Sequence, residues 1–388
     1  MTTNRRTVFR YFGAAATSAI LSTIARPTIA IEASQRRWAV LYWMPYDNDL
    51  SRYCDPILEM LRQGTIHSNS VVLVQADRYD VASMQRYVIQ SGEIQEFSVE
   101  AEDSSDITAL EEYLDWAYRT VTAERWIVAV VGHGGNIAEI SPDSQGRNEG
   151  AWSWMRLDQF CCAVRDFHQR MNQNVELLYF QNCNRGNLET FYEARHCARY
   201  TLASQFLLGA PNGYYQEFLR RLDGLDTGRD AAIAIMDTET QPMFHSLTLV
   251  DNRAVEQLPT YLALLLQALQ LDEVDQVDLS DVPVDIYAGD RHYDALMLFE
   301  YLTQQVGRRT VELDQFTQFM QSSLITAYRN GGALYENPFR PTPNYLQDLS
   351  GIGLGAPSTV EALSEYRHLA LYSAVELEAF YRHLMRVA

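Results

Sequence analysis

A short apolar run that stops at a cysteine constrains this chain more than any other stretch of its sequence. Residues 175–180 are largely apolar, the polar turn 181–186 contains Cys183, and apolar residues recur at helical spacing from residue 188. This order predicts a buried strand, a tight turn and a helix. Cys183 would then lie at the carboxyl end of the strand and before a helix N-terminus, where backbone N–H groups and the helix dipole favour a thiolate.

A second apolar run leads to a histidine. Residues 126–131 are predicted to form another buried strand, and Gly132-His133-Gly134-Gly135 follows them directly. Taken alone, Cys183 is more often an inert buried thiol and His133 a residue of a glycine turn, because free cysteines are among the most buried residues. At the ends of two strands, the pair is better explained as a nucleophile and its acid/base partner.

Strands and helices alternate along the first two thirds of the chain. The predicted strands cover residues 38–44, 71–76, 126–131, 175–180, 200–204 and 244–250, with an edge hairpin over 84–100. The predicted fold class is therefore α/β, with a mostly parallel sheet and helices on both faces. Ligands bind at the carboxyl ends of the strands in such sheets, and His133 and Cys183 fall there.

The pattern becomes mainly helical from about residue 251. The predicted helices cover residues 254–271, 293–306, 313–328 and 360–385. The acidic stretch 271–285 marks the predicted boundary or a surface excursion, and the glycine-rich stretch 351–357 is predicted to be a short strand or turn. We therefore predict an α/β domain over residues 37–251 and a mainly helical subdomain over residues 252–388.

Composition excludes some classes of partner. The 388 residues carry a net charge of −19, which argues against binding to nucleic acid or an anionic membrane surface. Five cysteines are too few, and odd in number, for a disulfide framework. The adjacent Cys161 and Cys162 lack metal-ligand spacing, and we expect one in the core and one at its edge. The histidines form no metal-spaced cluster.

The N-terminus is typical of an export signal. Arg5-Arg6 precedes a modest apolar stretch over residues 11–24, and small residues follow up to Ala30. This order resembles a bacterial twin-arginine signal over residues 1–30, and it predicts a protein exported to the periplasm or the exterior. The alternative is an uncleaved anchor, but the apolar run is shorter than the roughly 20 residues that span a bilayer.

Four segments occur in the order found in a known family. They are Asp47-Asn48-Asp49-Leu50, His133-Gly134-Gly135, Cys183 and Leu202-Ala203-Ser204. Over about residues 38–251 the chain resembles the clostripain family of cysteine peptidases, which are relatives of the caspases. The resemblance implies that residues 37–251 form a caspase-like peptidase domain. It also implies hydrolysis of peptide or protein substrates.

The resemblance assigns the chemistry to particular residues. Cys183 would attack the peptide carbonyl, His133 would act as acid/base, and the backbone N–H groups of Gly134 and Cys183 would bind the oxyanion. No third member of a triad is identified. Asn182 and Arg185 are expected to shape the turn around the cysteine.

The chain departs from the family at the residue that selects a substrate. The family has an aspartate two residues before its cysteine, where it favours basic side chains, and this chain has Gln181. We therefore assign substrate binding to Gln181, to Asp47, which would restore a negative charge, and to Ser204. The expected preference for arginine and lysine is weakened, because Gln181 keeps an acceptor oxygen and loses the charge.

The polar stretch 136–150 is predicted to be an exposed loop beside His133. Loops near the site are cut during self-activation in the family, and Arg147 is the candidate cut point, the alternative being an ordinary mobile loop. No cofactor is expected. Calcium stays open because some relatives need it, although the acidic residues form no glycine-framed calcium loop.

Two other functions remain compatible with the sequence. One is a non-catalytic binding domain that keeps the peptidase fold, which Gln181 favours and the presence of both His133 and Cys183 disfavours. The other is a hydrolase that uses the same two residues on a bond other than a peptide bond.

Overall fold

The computed structural model describes residues 36–145, 151–239, 245–271, 276–279, 282, 284–307, 310–332 and 349–387. The predicted signal over residues 1–30 and the candidate cut point Arg147 lie outside them.

The strands are β1 Arg36–Tyr46, β2 Val71–Arg78, β3 Gln85–Gln90, β4 Glu93–Ser98, β5 Ala123–Val131, β6 Glu139–Asp143, β7 Ser153–Arg156, β8 Val175–Gln181, β9 Tyr200–Ser204, β10 His245–Asp251, β11 Val284–Tyr287, β12 Asp290–Asp294, β13 Ile325–Gly331 and β14 Gly353–Pro357.

The helices are α1 Cys54–Gly64, α2 Ile107–Thr120, α3 Leu157–Arg170, α4 Leu188–Ala194, α5 Tyr215–Leu222, α6 Gly228–Thr238, α7 Asn252–Val255, α8 Leu258–Leu269, α9 Ala295–Gln305, α10 Val311–Phe319, α11 Ala370–Ala374 and α12 Leu377–Val387.

A large twisted sheet carries the site. Its strand order is β13-β10-β9-β8-β5-β1-β2-β3-β4. The central strands β9, β8, β5, β1 and β2 run parallel, and antiparallel strands flank them on both sides. The predicted α/β fold with a mostly parallel sheet is confirmed.

Both faces of the sheet are covered, which explains the nearly continuous apolar runs of the central strands. On one face, Tyr42 and Tyr179 belong to the core cluster that α1, α5 and α6 complete. On the other, the Trp43 ring lies 5.9 Å from that of Tyr113 on α2. Helix α3 packs on the same face, where the ring centroids of Phe160 and Phe180 are separated by 5.8 Å.

The edge hairpin β3–β4 forms where the sequence predicts it. Ser91 and Gly92 make its turn with φ of 52° and 79°. Glycine suits the second position because it adopts positive φ without a steric penalty.

The other edge differs from the prediction. Residues 325–328 were predicted to be helical, but they begin β13, which pairs antiparallel with β10. The local pattern is helical as far as Leu324, and the strand forms because the edge of β10 offers unpaired backbone groups. The predicted helix over 360–385 is also divided, into a 3₁₀ turn at Ala362–Tyr366, α11 and α12.

The stretch after His133 is not the exposed loop that the sequence predicts. Its first half forms β6, which pairs with β7, and both Ile140 and Ser141 are fully buried. Trp43 Nε1 donates a hydrogen bond of 2.7 Å to Ser141 Oγ and holds the strand against the sheet. Residues 146–150 lie outside the described part.

The C-terminal part contains strands as well as helices. In the second sheet the order is β11-β12-β14. Gly353 N–H donates to the Gly186 carbonyl at 2.8 Å, and Ile137 N–H donates to Asp290 at 2.6 Å. Residues Ser34–Ala388 form one compact unit. The boundary between residues 251 and 252 stays a prediction.

Candidate active site

The backbone register brings the predicted catalytic residues side by side. Val131 and Gln181 are partners in the parallel pair of β5 and β8, so His133 and Cys183 each lie two residues past the paired ends. Asn182 joins the two turns, because its Nδ2 donates to the carbonyls of Gly132 at 2.9 Å and His133 at 3.2 Å.

Arg185 organises the turn that follows β5. It is fully buried, and burial lowers the pKa of its guanidinium. The guanidinium donates to five backbone carbonyls, those of Gly135, Asn136, Ile137, Glu139 and Cys183. Charged donors make strong hydrogen bonds, so one side chain fixes the turn after His133 against the cysteine turn.

Gly134 allows these two turns to approach each other. A Cβ at this position would lie 2.4 Å from the carbonyl oxygen of Cys183. Only glycine fits there without a shift of the backbone.

Cys183 is only partly buried, and two backbone groups contact its thiol. Its Sγ accepts a hydrogen bond from Leu208 N–H at 3.4 Å and lies 3.6 Å from the Leu208 carbonyl. Burial raises the pKa of this thiol. The predicted bias toward thiolate is therefore wrong for this conformation: α4 begins only at Leu188, so burial outweighs the distant helix dipole.

His133 is held by residues that flank the site. Its Nε2 lies 2.8 Å from Asp49 Oδ1, and its ring centroid lies 5.5 Å from that of Trp152. Within the described ranges, no hydrogen bond joins the imidazole to the thiol of Cys183.

The second sheet contributes a tyrosine to the site. Tyr287, at the end of β11, lies beside Cys183 and the Gly134 turn, and burial raises the pKa of its hydroxyl.

Gln181 lies in a network of uncharged polar groups. Its Nε2 donates to Asn212 Oδ1 and to the Tyr215 hydroxyl, each at 2.7 Å, and its Oε1 accepts from the Tyr214 hydroxyl at 2.7 Å. Gln181 and Asn212 are each 5% exposed. The residue that replaces the family's aspartate is thus surrounded by an amide and two hydroxyls.

Asp47 does not lie in this network. Its carboxylate accepts hydrogen bonds of 2.9–3.0 Å from Ser144 and Gln145. In the part of the chain that the structure covers, no hydrogen bond connects it to Gln181. The expectation that Asp47 restores a negative pocket beside Gln181 is therefore not supported, because its oxygens already bind the backbone and side chains after β6.

Ser204 lies inside the large sheet. It is fully buried between β9 and β10, where its hydroxyl lies 3.3 Å from that of Ser246 and accepts from Ser246 N–H. The assignment of Ser204 to substrate binding is corrected on these contacts, which pair the two strands.

The remaining thiols fit the expected pattern. Cys161 is buried and Cys162 is exposed, and the cysteines of the described residues are all free. Among the same residues, no group of three or more histidine, cysteine or acidic side chains is arranged to hold a metal ion.

Residues 42–341 match the clostripain family. The chain belongs to the clostripain family of cysteine peptidases. Its strand-end histidine and cysteine lie within the matched region, as does Tyr287. No curated protein matches the chain.

Solved structures of other C11 proteases share the fold of this chain at low sequence identity. An inactive zymogen C11 protease from Parabacteroides distasonis is 16% identical, with a TM-score of 0.67 over 88% of this chain and 99% of that one. A secreted C11 cysteine protease from Bacteroides thetaiotaomicron, in complex with an irreversible peptide inhibitor, is 14% identical, with a TM-score of 0.68 over 87% and 99%. The caspase-like fold is confirmed.

Among the helices that the structure describes, none has the length and apolar character needed to cross a membrane.

Sequence reasoning missed two contributors to the site. The sequence shows Asp49 only as part of the Asp47-Asn48-Asp49-Leu50 segment, because 84 residues separate it from its partner His133. Tyr287 lies just after the stretch 271–285 that is predicted to be a boundary or a surface excursion, where no periodic pattern marks a strand. The position of Asp49 just after β1 is the sequence signal that could have identified it. β1 pairs with β5, the strand that leads to His133, so the two strand ends are neighbours.

Proposed function

We propose that this clostripain-family peptidase is a cysteine endopeptidase that cleaves peptide bonds through Cys183 and His133 and an acyl-enzyme. The observation that carries the proposal is the alignment of the two residues at the adjacent ends of β5 and β8. Cysteine proteases need a nucleophile and an acid/base on one side of the scissile bond, and this register supplies both.

The proposed reaction has two stages. Cys183 Sγ attacks the carbonyl carbon and forms a thioester as the C–N bond breaks, and His133 transfers the thiol proton to the leaving amine. Water then attacks the thioester, with its proton passing to His133 and on to the thiolate. The N–H groups of Gly134 and Cys183 would stabilise the oxyanion in each stage.

Asp49 would position the imidazole. Because His133 Nε2 lies 2.8 Å from the carboxylate, Nδ1 is the ring nitrogen left for proton transfer with the cysteine and the substrate. This is the role of the orienting residue in other nucleophile–base pairs.

The decisive experiment compares two cysteines. Cys183→Ala and His133→Ala should each reduce hydrolysis of a fluorogenic peptide library to background, while Cys162→Ala, at an exposed thiol, should keep full activity. The double variant should be little worse than either single variant, because members of one catalytic unit act non-additively.

The same assay decides between the peptidase and its alternative. Full activity in Cys183→Ala would refute the nucleophile. If the wild type binds peptides but cleaves none, with or without calcium, the chain is a non-catalytic binding domain. Two features favour this second function: burial raises the pKa of the Cys183 thiol, and no hydrogen bond joins His133 to Cys183 in the part of the chain that the structure describes.

We also propose that the chain is exported to the periplasm or the exterior. The paired arginines, weak apolar stretch and small residues of 1–30 support this. N-terminal sequencing of the exported protein should begin near residue 31, and a start at Met1 or Thr2 would refute cleavage.

A further inference from the structure

An exposed tryptophan lies next to the proposed catalytic histidine. The Trp152 ring centroid lies 5.5 Å from that of His133, and Trp152 is 41% exposed. The His133 side chain keeps 27% of its surface exposed, so the indole borders the imidazole without closing it off from solvent. A single exposed apolar residue is ordinary on a protein surface, and its place beside the imidazole is what distinguishes Trp152.

The hairpin that carries Trp152 is anchored to the sheet and to the site. Trp152 directly precedes β7, which pairs with β6. Trp43 Nε1 donates to Ser141 Oγ at 2.7 Å, and the Arg185 guanidinium donates to the Glu139 carbonyl at 2.9 Å. The indole is therefore presented by a fixed element, as a binding surface requires.

A second tryptophan supports the first. The ring centroids of Trp152 and Trp154 are 5.8 Å apart. Trp154 packs on the turn that contains His133, because a Cβ built on Gly135 would lie 3.0 Å from Trp154 Cε3. The outer indole is thus held by the inner one and keeps an open surface toward solvent.

The Gln181 network and the β6–β7 hairpin flank the site from opposite faces of the large sheet. Tyr42 and Trp43 are consecutive in β1, so their side chains point to opposite faces. The Tyr42 ring lies 5.7 Å from that of Tyr215, a hydrogen-bond partner of Gln181, whereas Trp43 holds the hairpin. A peptide bound across the strand ends would reach the network in one direction and Trp152 in the other.

We propose that Trp152 binds the side chain of the residue that follows the scissile bond, and that the chain prefers an aromatic or large apolar residue there. The proposal rests on the proposed peptidase function, in which His133 gives a proton to the leaving amine. The imidazole must then lie against the residue that carries this amine, and Trp152 borders the imidazole. Indole offers a large, rigid apolar surface, and aromatic pairs gain stability beyond the area they bury.

The test uses internally quenched peptides with one acyl-side sequence and phenylalanine, leucine or alanine after the scissile bond, with cleavage positions confirmed by mass spectrometry. For the full chain, kcat/KM should be about five- to tenfold higher with phenylalanine than with alanine. Trp152→Ala should reduce this ratio to about one, because the apolar surface is lost. Trp152→Phe should keep most of the ratio.

Tyr118→Ala is the matched control. Tyr118 is 45% exposed and lies near the end of α2, just before β5 begins, at the edge of the sheet opposite the site. This variant should keep the wild-type ratio. If Trp152→Ala lowers kcat/KM by one factor for all three peptides, Trp152 positions His133 and contacts no substrate side chain, and the proposal is overturned. A wild-type ratio near one overturns it as well.

Peptide binding separates this proposal from the peptidase itself. Fluorescence anisotropy measures the affinity of the labelled phenylalanine and alanine peptides for Cys183→Ala, with and without Trp152→Ala. If the wild type cleaves nothing, the peptidase is refuted. A preference for the phenylalanine peptide that is lost with Trp152 then supports the apolar site, and equal affinities for both peptides in Cys183→Ala overturn it. Thermal melting checks the fold of each variant, and Trp152→Gln replaces Trp152→Ala if that protein is unfolded.

Discussion

Gln181 replaces the family's aspartate, and it thereby removes a negative charge from the position two residues before Cys183. All of its donors are used by Asn212 and Tyr215, and Tyr214 donates to its oxygen. A glutamine in this arrangement supplies no charge to a basic side chain, and burial keeps the neighbouring tyrosines protonated by raising their pKa. The four residues of this network, Gln181, Asn212, Tyr214 and Tyr215, are therefore uncharged.

A carboxylate in this network should create a preference for basic residues. Gln181→Asp and, separately, Asn212→Asp should each raise kcat/KM for an arginine substrate by about tenfold relative to a neutral polar one, because a charged hydrogen bond contributes roughly 1.5–3 kcal/mol. In Gln181→Asp, the Asn212 amide can turn and donate to the new carboxylate. Paired substrates that differ only at the acyl-side residue provide the measurement.

Uncharged variants control for the loss of the network itself. Asn212→Ala and Gln181→Ala remove the same hydrogen bonds without adding charge, and they should show no gain for arginine. A wild type that already cleaves strictly after arginine or lysine would contradict the uncharged network.

Sequence predicted the two central residues and not their surroundings. His133 and Cys183 each follow an apolar run directly, so their placement at strand ends follows from local pattern. Burial raises the pKa of Cys183, and the hydrogen bond from Leu208, which lies 25 residues away in sequence, lowers it. Asp47 and Ser204 were misjudged for the same reason, since their partners lie on other segments.

Two carboxyl groups meet where β2 and β6 end. Asp77 and Asp143 are 4% and 1% exposed, and Ser104 N–H donates to both at 3.1 Å. Burial, followed by the hydrogen bond with Asp143, raises the pKa of Asp77 to about 8, and burial raises the pKa of Asp143 as well. Near neutral pH the pair shares a proton, which joins the two elements.

This shared proton predicts that the free energy of unfolding depends on pH. A carboxyl whose folded pKa exceeds its ordinary value of 3.8 binds its proton more tightly in the folded state. Its stabilising contribution is complete below about pH 4 and is lost as the pH rises toward 8. An asparagine side chain at position 77 can donate to Asp143 at every pH, so Asp77→Asn should be more stable than wild type at pH 8.

Urea unfolding at pH 5, 7 and 9 measures this difference. The two proteins should converge toward pH 5 and diverge toward pH 9. Asp80→Asn, at an exposed carboxylate 67% accessible to solvent, should follow wild type throughout. Parallel pH curves for Asp77→Asn and wild type would rule out a shared proton.

The secondary structure was predicted correctly where a single spacing of apolar residues holds over the whole helix or strand. The strand at Tyr200–Ser204 has the predicted limits. The prediction failed for β13, because the predicted helix was carried past Leu324, where the helical pattern ends and pairing with β10 makes the chain extended. It also missed β11 and β12, whose short strands lack a clear apolar alternation.

The C-terminal part completes the molecule around the catalytic strands. It supplies β13 to the large sheet, and it also supplies partners to buried acids near the site. Glu189 accepts from Gly355 N–H and from the Tyr381 hydroxyl, and burial raises its pKa to about 7. Gln205, beside the strand end of β9, donates to Asp294 at 2.8 Å.

These contacts predict that residues 36–251 do not fold alone. Removal of residues 252–388 would expose the edge of β10 and leave Glu189 without its partners, and an unsatisfied buried polar group costs about 1–3 kcal/mol. The truncated chain should lack a near-ultraviolet circular dichroism signal and should unfold without cooperativity in urea. A chain of residues 34–388, which keeps the whole compact unit, should match the full-length protein in both measurements. Cooperative unfolding of residues 36–251 would instead establish the boundary at residue 251 as that of an independent domain, because a part that folds alone must contain its own core.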